Sequence, residues 1–103
     1  MELALRALAE PHRLKILLLV QDAELPAGEI ATHFDVTRPA ISQHLRVLKT
    51  AGLLTERRRG TQRLYRARPE GLAEVREYLN EFWEGRLRRL GRAAEAEERR
   101  KQQ

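Results

Sequence analysis

A chain of 103 residues has the length of one domain with one modest hydrophobic core, and its lack of cysteine excludes disulfides and thiolate metal ligands. No apolar run approaches the roughly 20 residues of a membrane span and no signal peptide is visible, so a cytoplasmic location is expected. The formal net charge of +5 is unevenly placed: Thr37 to Arg68 holds nine Lys/Arg and one acidic residue, Glu56, against eleven basic and fourteen acidic residues elsewhere, which points to a polyanion-binding face.

In chain order, Leu3, Leu5 and Leu8 with Ala4 and Ala7 predict a short first helix. Pro11 fits the first turn of a second helix, where its missing N–H costs nothing. Leu14, Leu17, Leu18 and Gln21 give that helix one apolar face, with Ile16, Leu19 and Val20 filling in, as expected of a central helix. Asp22 to Pro26 is a break. Pro26 starts a third helix carrying Ile30, Ala31 and Phe34, which stops at Asp35-Val36-Thr37. Thr37 is a good N-cap for a fourth helix, with Pro39 in its first turn. Ile41, Leu45 and Leu48 recur there at the i, i+4, i+7 spacing, and Gly52 ends the helix as a left-handed C′ residue. Leu53 to Arg58 and Gln62 to Ala67 read as two short strands joined at Arg59-Gly60, with Gly60 supplying positive φ. Pro69 opens a last helix with apolar Leu72, Val75, Leu79, Phe82, Trp83, Leu87 and Leu90. Residues 1–94 form the DNA-binding and dimerisation domain in this reading. Residues 95–103 are a charged tail without fixed structure.

Two helices joined by a short turn also describe an ordinary αα-corner. The internal spacing says more. Ala31 sits where the next helix must approach closely, and Ile41 packs back between the two. Asp35 occupies the turn position that favours a left-handed residue, which Asp tolerates. The hairpin that follows carries Arg57, Arg58, Arg59 and Arg63 around its tip. Edge strands carry charge to avoid aggregation, but mixed signs would serve as well and only Glu56 is acidic here. The fold class is therefore mainly α: a winged helix-turn-helix of five helices plus a two-stranded β-hairpin wing. Thr37, Arg38, Ser42, Gln43, His44, Arg46 and Lys49 form a donor-rich exposed set on the fourth helix. Gln43 and Arg46 are candidates for reading base edges, and Ser42 and His44 for holding phosphates. The wing arginines are candidates for backbone or minor-groove contact.

Three segments carry a family resemblance. LAEPHRLKILLLV (Leu8 to Val20), EIATHFDVTRPAISQHLRVLKTAGLL (Glu29 to Leu54) and RRRGTQRLYRA (Arg57 to Ala67) resemble the ArsR-type bacterial winged-helix repressors. The resemblance covers roughly Met1 to Leu90, and its most specific part is S-x-HL-x-x-L-x-x-AGL followed by a basic G-x-x-x-x-Y hairpin. It implies a homodimer that binds operator DNA, with the terminal helices at the dimer interface and, in many members, release when an effector binds. Metal-sensing members most often use a Cys-x-Cys pair, absent here, or Asp and His on the last helix, which has no histidine from Pro69 onward. His12, His33 and His44 lie on three different predicted helices, none at i, i+4 from another, whereas zinc needs about four convergent ligands. No metal and no cofactor is expected, and the chain resembles the metal-independent branch, with its effector unknown.

The first and last helices hold surplus apolar residues: Leu3, Leu5 and Leu8 at one end, Leu79, Phe82, Trp83 and Leu87 at the other. They either complete the monomer core or form a dimer interface. DNA geometry favours the dimer, because two recognition helices must lie about 34 Å apart to enter successive major grooves. Phe82 and Trp83 are the candidate anchors, since aromatics dominate interface energetics. The expected function is a sequence-specific, double-stranded DNA-binding transcriptional regulator, a homodimeric repressor on an inverted-repeat operator. The alternative is a winged helix used only for protein–protein contact, which predicts an apolar exposed face on the recognition helix. RNA or single-strand binding needs exposed stacking aromatics, and the wing offers only Tyr65. No Ser/His/acid constellation, nucleotide-binding glycine loop or metal motif appears, so no enzyme is expected.

Overall fold

The computed structural model describes residues 1–102, the last of them by its backbone alone. Its elements are α1 (Glu2–Leu8), α2 (Pro11–Leu19), β1 (Leu25–Pro26), α3 (Ala27–Ala31), α4 (Arg38–Thr50), β2 (Leu54–Arg59), β3 (Gln62–Ala67) and α5 (Pro69–Gln102). The core joins α2, α3, α4 and the base of the hairpin: Ile16, Val20, Ile30, Ile41, Leu48 and Leu53 are its largest fully buried side chains. Burying one such side chain stabilises by about 1.5–3 kcal/mol. No helix among the described residues is long and apolar enough to cross a membrane.

The start and stop of α4 follow from local chemistry. Thr37 Oγ1 accepts from the Ala40 N–H at 3.2 Å, closing one orphan donor of the first turn. At the other end Gly52 takes φ +77°. The Leu53 N–H then reaches the Leu48 carbonyl at 3.0 Å and the Gly52 N–H reaches Lys49 at 3.1 Å, the paired bonds of a Schellman stop. Leu48 and Leu53, which this stop brings together, are both fully buried. The chain is thereby turned directly from recognition helix into wing.

Four expectations are corrected. The apolar face of α2 is Ile16, Leu17 and Val20, while Leu14 and Leu18 are 45% and 70% exposed. A helix apolar on most sides from Leu14 to Val20, with Lys15 its one charged residue there, offers little periodicity to choose a face, so its neighbours choose. The sheet has three strands, in the order β1-β3-β2, all antiparallel. Its third strand is only Leu25–Pro26, paired with Tyr65 and Leu64 at the edge, where proline is tolerated. The hairpin turn is Gly60-Thr61, one residue later than expected, because Arg59 pairs with Gln62. Gly60 has φ +61° and no non-glycine among the described residues has positive φ, so Asp35 is not left-handed and the helix-turn-helix turn closes without such a residue.

Residues 95–102 continue α5, where composition alone reads a disordered tail; Gln103 lies outside the described residues. Ala93, Ala94 and Ala96 among Glu and Arg are strong helix formers, which explains the continuation. Only the start of α5 rests on the domain, through buried Gly71 and Val75 and half-buried Leu72. The molecule consequently measures 73 × 27 × 22 Å, with a radius of gyration of 19.6 Å. A compact domain of this length would have a radius of about 13 Å.

The junction of α5 with the end of α4 is tight. Arg68 donates from Nη1 to the Gly52 carbonyl at 3.2 Å, and a Cβ on Gly71 would overlap that same carbonyl oxygen. Gly71→Ala is expected to destabilise the domain by about 1–3 kcal/mol, in the range of core overpacking. Urea melts compared with Ala73→Ser on the exposed side of α5 would check this, and equal midpoints would show that the junction yields freely.

Candidate nucleic-acid interface

Burial of Ile41, Leu45 and Leu48 sets the phase of α4 and leaves Arg38, Ser42, Gln43, Arg46 and Lys49 exposed, as expected, with Thr37 exposed at its start. Between α4 and the wing runs an open groove lined by Arg38, Ser42, Gln62, Arg63 and Tyr65, among others. Arg38 folds back over α3, where its guanidinium lies against Gly28. Polar donors on α4 and on β3 therefore bound one concave surface. No large apolar side chain of α4 is exposed, which is the feature a purely protein-binding face would need.

The wing differs from expectation in its partners. Arg57 makes a bidentate pair with Glu24, in the loop before β1: Nε to Oε2 and Nη2 to Oε1, each 2.6 Å. This hydrogen bonding holds the Glu24 carboxyl below the ordinary carboxylate range and raises the Arg57 guanidinium. An exposed pair of this kind adds little to stability, but its fork geometry orients the strand. Glu56, only 13% exposed, takes Lys49 Nζ at 2.8 Å on one oxygen and Arg63 Nη1 at 3.2 Å on the other. The Lys49 hydrogen bond, against the opposing effect of burial, holds its carboxyl low. Arg58 and Arg59 at the tip have no ionic partner among the described residues. The expectation that Glu56 is the one acidic partner of the tip arginines is thus corrected: Glu24 holds Arg57, and because it lies 33 positions away sequence spacing could not join them.

His44 is the one recognition-helix candidate that the structure turns inward. Its side chain is 17% exposed and its ring stacks on His12 at 5.6 Å between centroids. Arg13 Nη1 lies 3.4 Å from its Nδ1, and Glu10 Oε2 3.8 Å away. Burial pushes the His44 imidazole below its ordinary value, with Glu10 opposing and Arg13 adding. It falls at the edge of the buried stripe, three residues after Ile41 and four before Leu48, so helical phase alone misassigned it. Glu10 and His12 were not among the candidates, and the only sequence signal was an acid before proline at a helix start.

The expected dimer residues divide. Ala4 and Ala7, not the leucines, bury the inner face of α1; Leu5 and Leu8 are half-buried against the core, and Leu3 is 61% exposed. On α5, Leu79, Phe82, Trp83 and Leu87 are all exposed, and Leu90 extends the stripe. Phe82 and Trp83 meet edge to face at 5.8 Å. The second half of α5 contributes nothing to the monomer core.

The sequence pattern of the bacterial regulatory protein, arsR family, matches residues 10–56. An HTH-type transcriptional regulator of Mycobacterium tuberculosis is 46% identical over 80 residues, covering 78% of this chain and 75% of that protein. A transcriptional repressor of Bacillus subtilis is 42% identical over 55 residues, 53% of this chain and 61% of that protein. Among solved structures, the homodimeric winged helix-turn-helix DNA-binding domain of a possible ArsR-family regulator from Mycobacterium bovis superposes with a TM-score of 0.65 at 31% identity, covering 81% of this chain and 77% of that one.

Glu56 holds Lys49 and Arg63, two cations of the candidate interface. Glu56→Gln is expected to strengthen binding to any duplex and to steepen the slope of log K against log salt by up to about 0.9 per cation released. Fluorescence anisotropy across a salt series measures both quantities. An unchanged slope would mean that neither cation reaches phosphate.

Proposed function

The chain belongs to the arsR family of bacterial regulatory proteins and is a DNA-binding transcriptional regulator, and from that premise we propose that it is a homodimeric repressor of an inverted-repeat operator. The observation that carries the reading is the exposed donor set of α4 beside a groove walled by the wing. In this mechanism α4 enters the major groove. Gln43 and Arg46 read base edges, Gln suiting adenine and Arg suiting guanine by bidentate geometry, while Thr37, Arg38, Ser42 and Lys49 hold backbone. The wing tip, Arg58 and Arg59, reaches the flanking backbone or minor groove, with Arg57 and Arg63 braced behind it. His44 acts from behind α4 rather than on phosphate.

Two such units need a fixed separation of about 34 Å. The α5 stripe from Leu79 to Leu90, with Leu3 on α1, supplies the apolar surface for that dimer, and α5, about 51 Å long, supplies the span. Repression is favoured by the kind of protein the chain resembles, and a DNA-bound regulator works in the cytoplasm of a bacterial cell.

Selecting random duplexes with the purified protein and sequencing them is the direct test. An inverted repeat with half-sites one helical turn apart supports the reading, and a collection without a shared motif overturns it. Against the selected site, Gln43→Ala and Arg46→Ala should each lose about 1–3 kcal/mol of discrimination at one base position. Uniform loss across all operator variants would remove them from base reading.

The dimer has its own check. Trp83→Ala removes an aromatic anchor and should weaken self-association by about 2–4 kcal/mol. Sedimentation equilibrium at micromolar concentration should find the wild type dimeric and the variant shifted toward monomer, with operator affinity lowered and non-specific binding retained.

A further inference from the structure

Three polar side chains that the DNA-facing surface does not use converge where α2 begins. Glu10 is the N-cap of α2, His12 lies in its first turn, and His44 arrives from the middle of α4. One ligand atom from each lies within 4.8 Å of the others. His12 Nδ1 is 2.8 Å from Glu10 Oε1, and His44 Nδ1 is 3.8 Å from Glu10 Oε2. The two imidazoles stack with 19° between their planes, so the Nδ1 edges of both approach a single carboxylate. Two donors held on one tetrahedral zinc ion at about 2.0–2.2 Å stand about 3.3–3.5 Å apart. The separations of 2.8 and 3.8 Å bracket that requirement, and small side-chain rotations bridge the difference.

We propose that Glu10, His12 and His44 form a binding site for one divalent first-row transition-metal ion, with water as the fourth ligand. Two imidazoles and a carboxylate are a donor set suited to Zn2+ and its neighbours rather than to Mg2+ or Ca2+. Side-chain exposures of 43% for His12 and 29% for Glu10 leave the fourth position open to water. The proton that His12 Nδ1 now donates to Glu10 moves to Nε2 or to solvent, leaving a neutral imidazole on the ion, so binding weakens as pH falls.

Arg13 is the main opposing charge, with Nη1 3.4 Å from His44 Nδ1. It is held independently, however: Nε donates to the Ala7 carbonyl at 2.6 Å and Nη2 to the Arg6 carbonyl at 3.2 Å. An ion that takes the His44 lone pair costs Arg13 one contact of three. The bland alternative is a helix cap braced by stacked rings, which binds no ion. The metal site ties the N-cap of α2 to the recognition helix one residue from Gln43, and it does not depend on the operator reading.

Titration of the full, untagged chain with Zn2+ against a chromophoric chelator near neutral pH tests the site. The expected result is one Zn2+ per chain, with His12→Gln binding weaker by about a hundredfold or more and His33→Gln, outside the cluster, binding as wild type. No uptake by the wild type overturns the proposal, and so does equal uptake by wild type and His12→Gln. Should His12→Gln fail to fold, Co2+ added to the wild type decides by NMR. Broadening of the His12 and His44 ring signals with His33 spared supports the site; broadening of His33 alone, or of all three alike, overturns it.

Discussion

Burial of one face of α4 governs the rest of the molecule. Ile41, Leu45 and Leu48 fit a single stripe of the helix, and the core fixes that stripe against α2, α3 and the hairpin base. Once the stripe is buried, the phase of every other α4 side chain is set, and Ser42, Gln43, Arg46 and Lys49 have nowhere to go but outward. The Schellman stop at Gly52 then fixes where the wing leaves the helix. The arrangement of potential DNA contacts is therefore a by-product of apolar packing, not of interactions among the contacts themselves.

The same logic explains what could be read from the residues and what could not. Helix α4 was legible because its apolar positions occupy one face only. Helix α2 was not, because leucines surround it and its neighbours decide which of them are buried. The hairpin was legible from its glycine and alternation, but its turn was placed a residue early: the pairing of Arg59 with Gln62 is a tertiary preference that dipeptide rules do not contain. Strand β1 escaped notice since two residues ending in proline carry no strand signal. Exposure of the candidate site residues was legible wherever it followed helical phase, and was lost at His44, whose position at the stripe's edge let a contact with His12 decide its direction.

Electrostatics refines the basic face in a way that net charge hides. Two acids, Glu24 and Glu56, stand among the cations and organise them. Each carboxylate is kept ionised by its cationic partners, so the brace persists across the neutral range. The result is a graded surface: paired side chains in fixed geometry beside the groove, and unpaired arginines at the tip. The paired inner cations favour shape-selective contact, while the unpaired outer ones favour long-range capture of a charged duplex.

The long unpartnered run of α5 has a consequence beyond DNA. After Val75 the helix touches no other element of its own subunit closely enough to bury a large side chain. Most helical stability in proteins comes from packing an apolar face, which this run does not do within one subunit. A lone subunit would thus offer an intermittently unwound, arginine-rich segment to proteases, and pairing would close it off. Cellular lifetime would then rise with the amount of the protein present, so that a regulator made in trace quantity is cleared and one made above its association threshold persists.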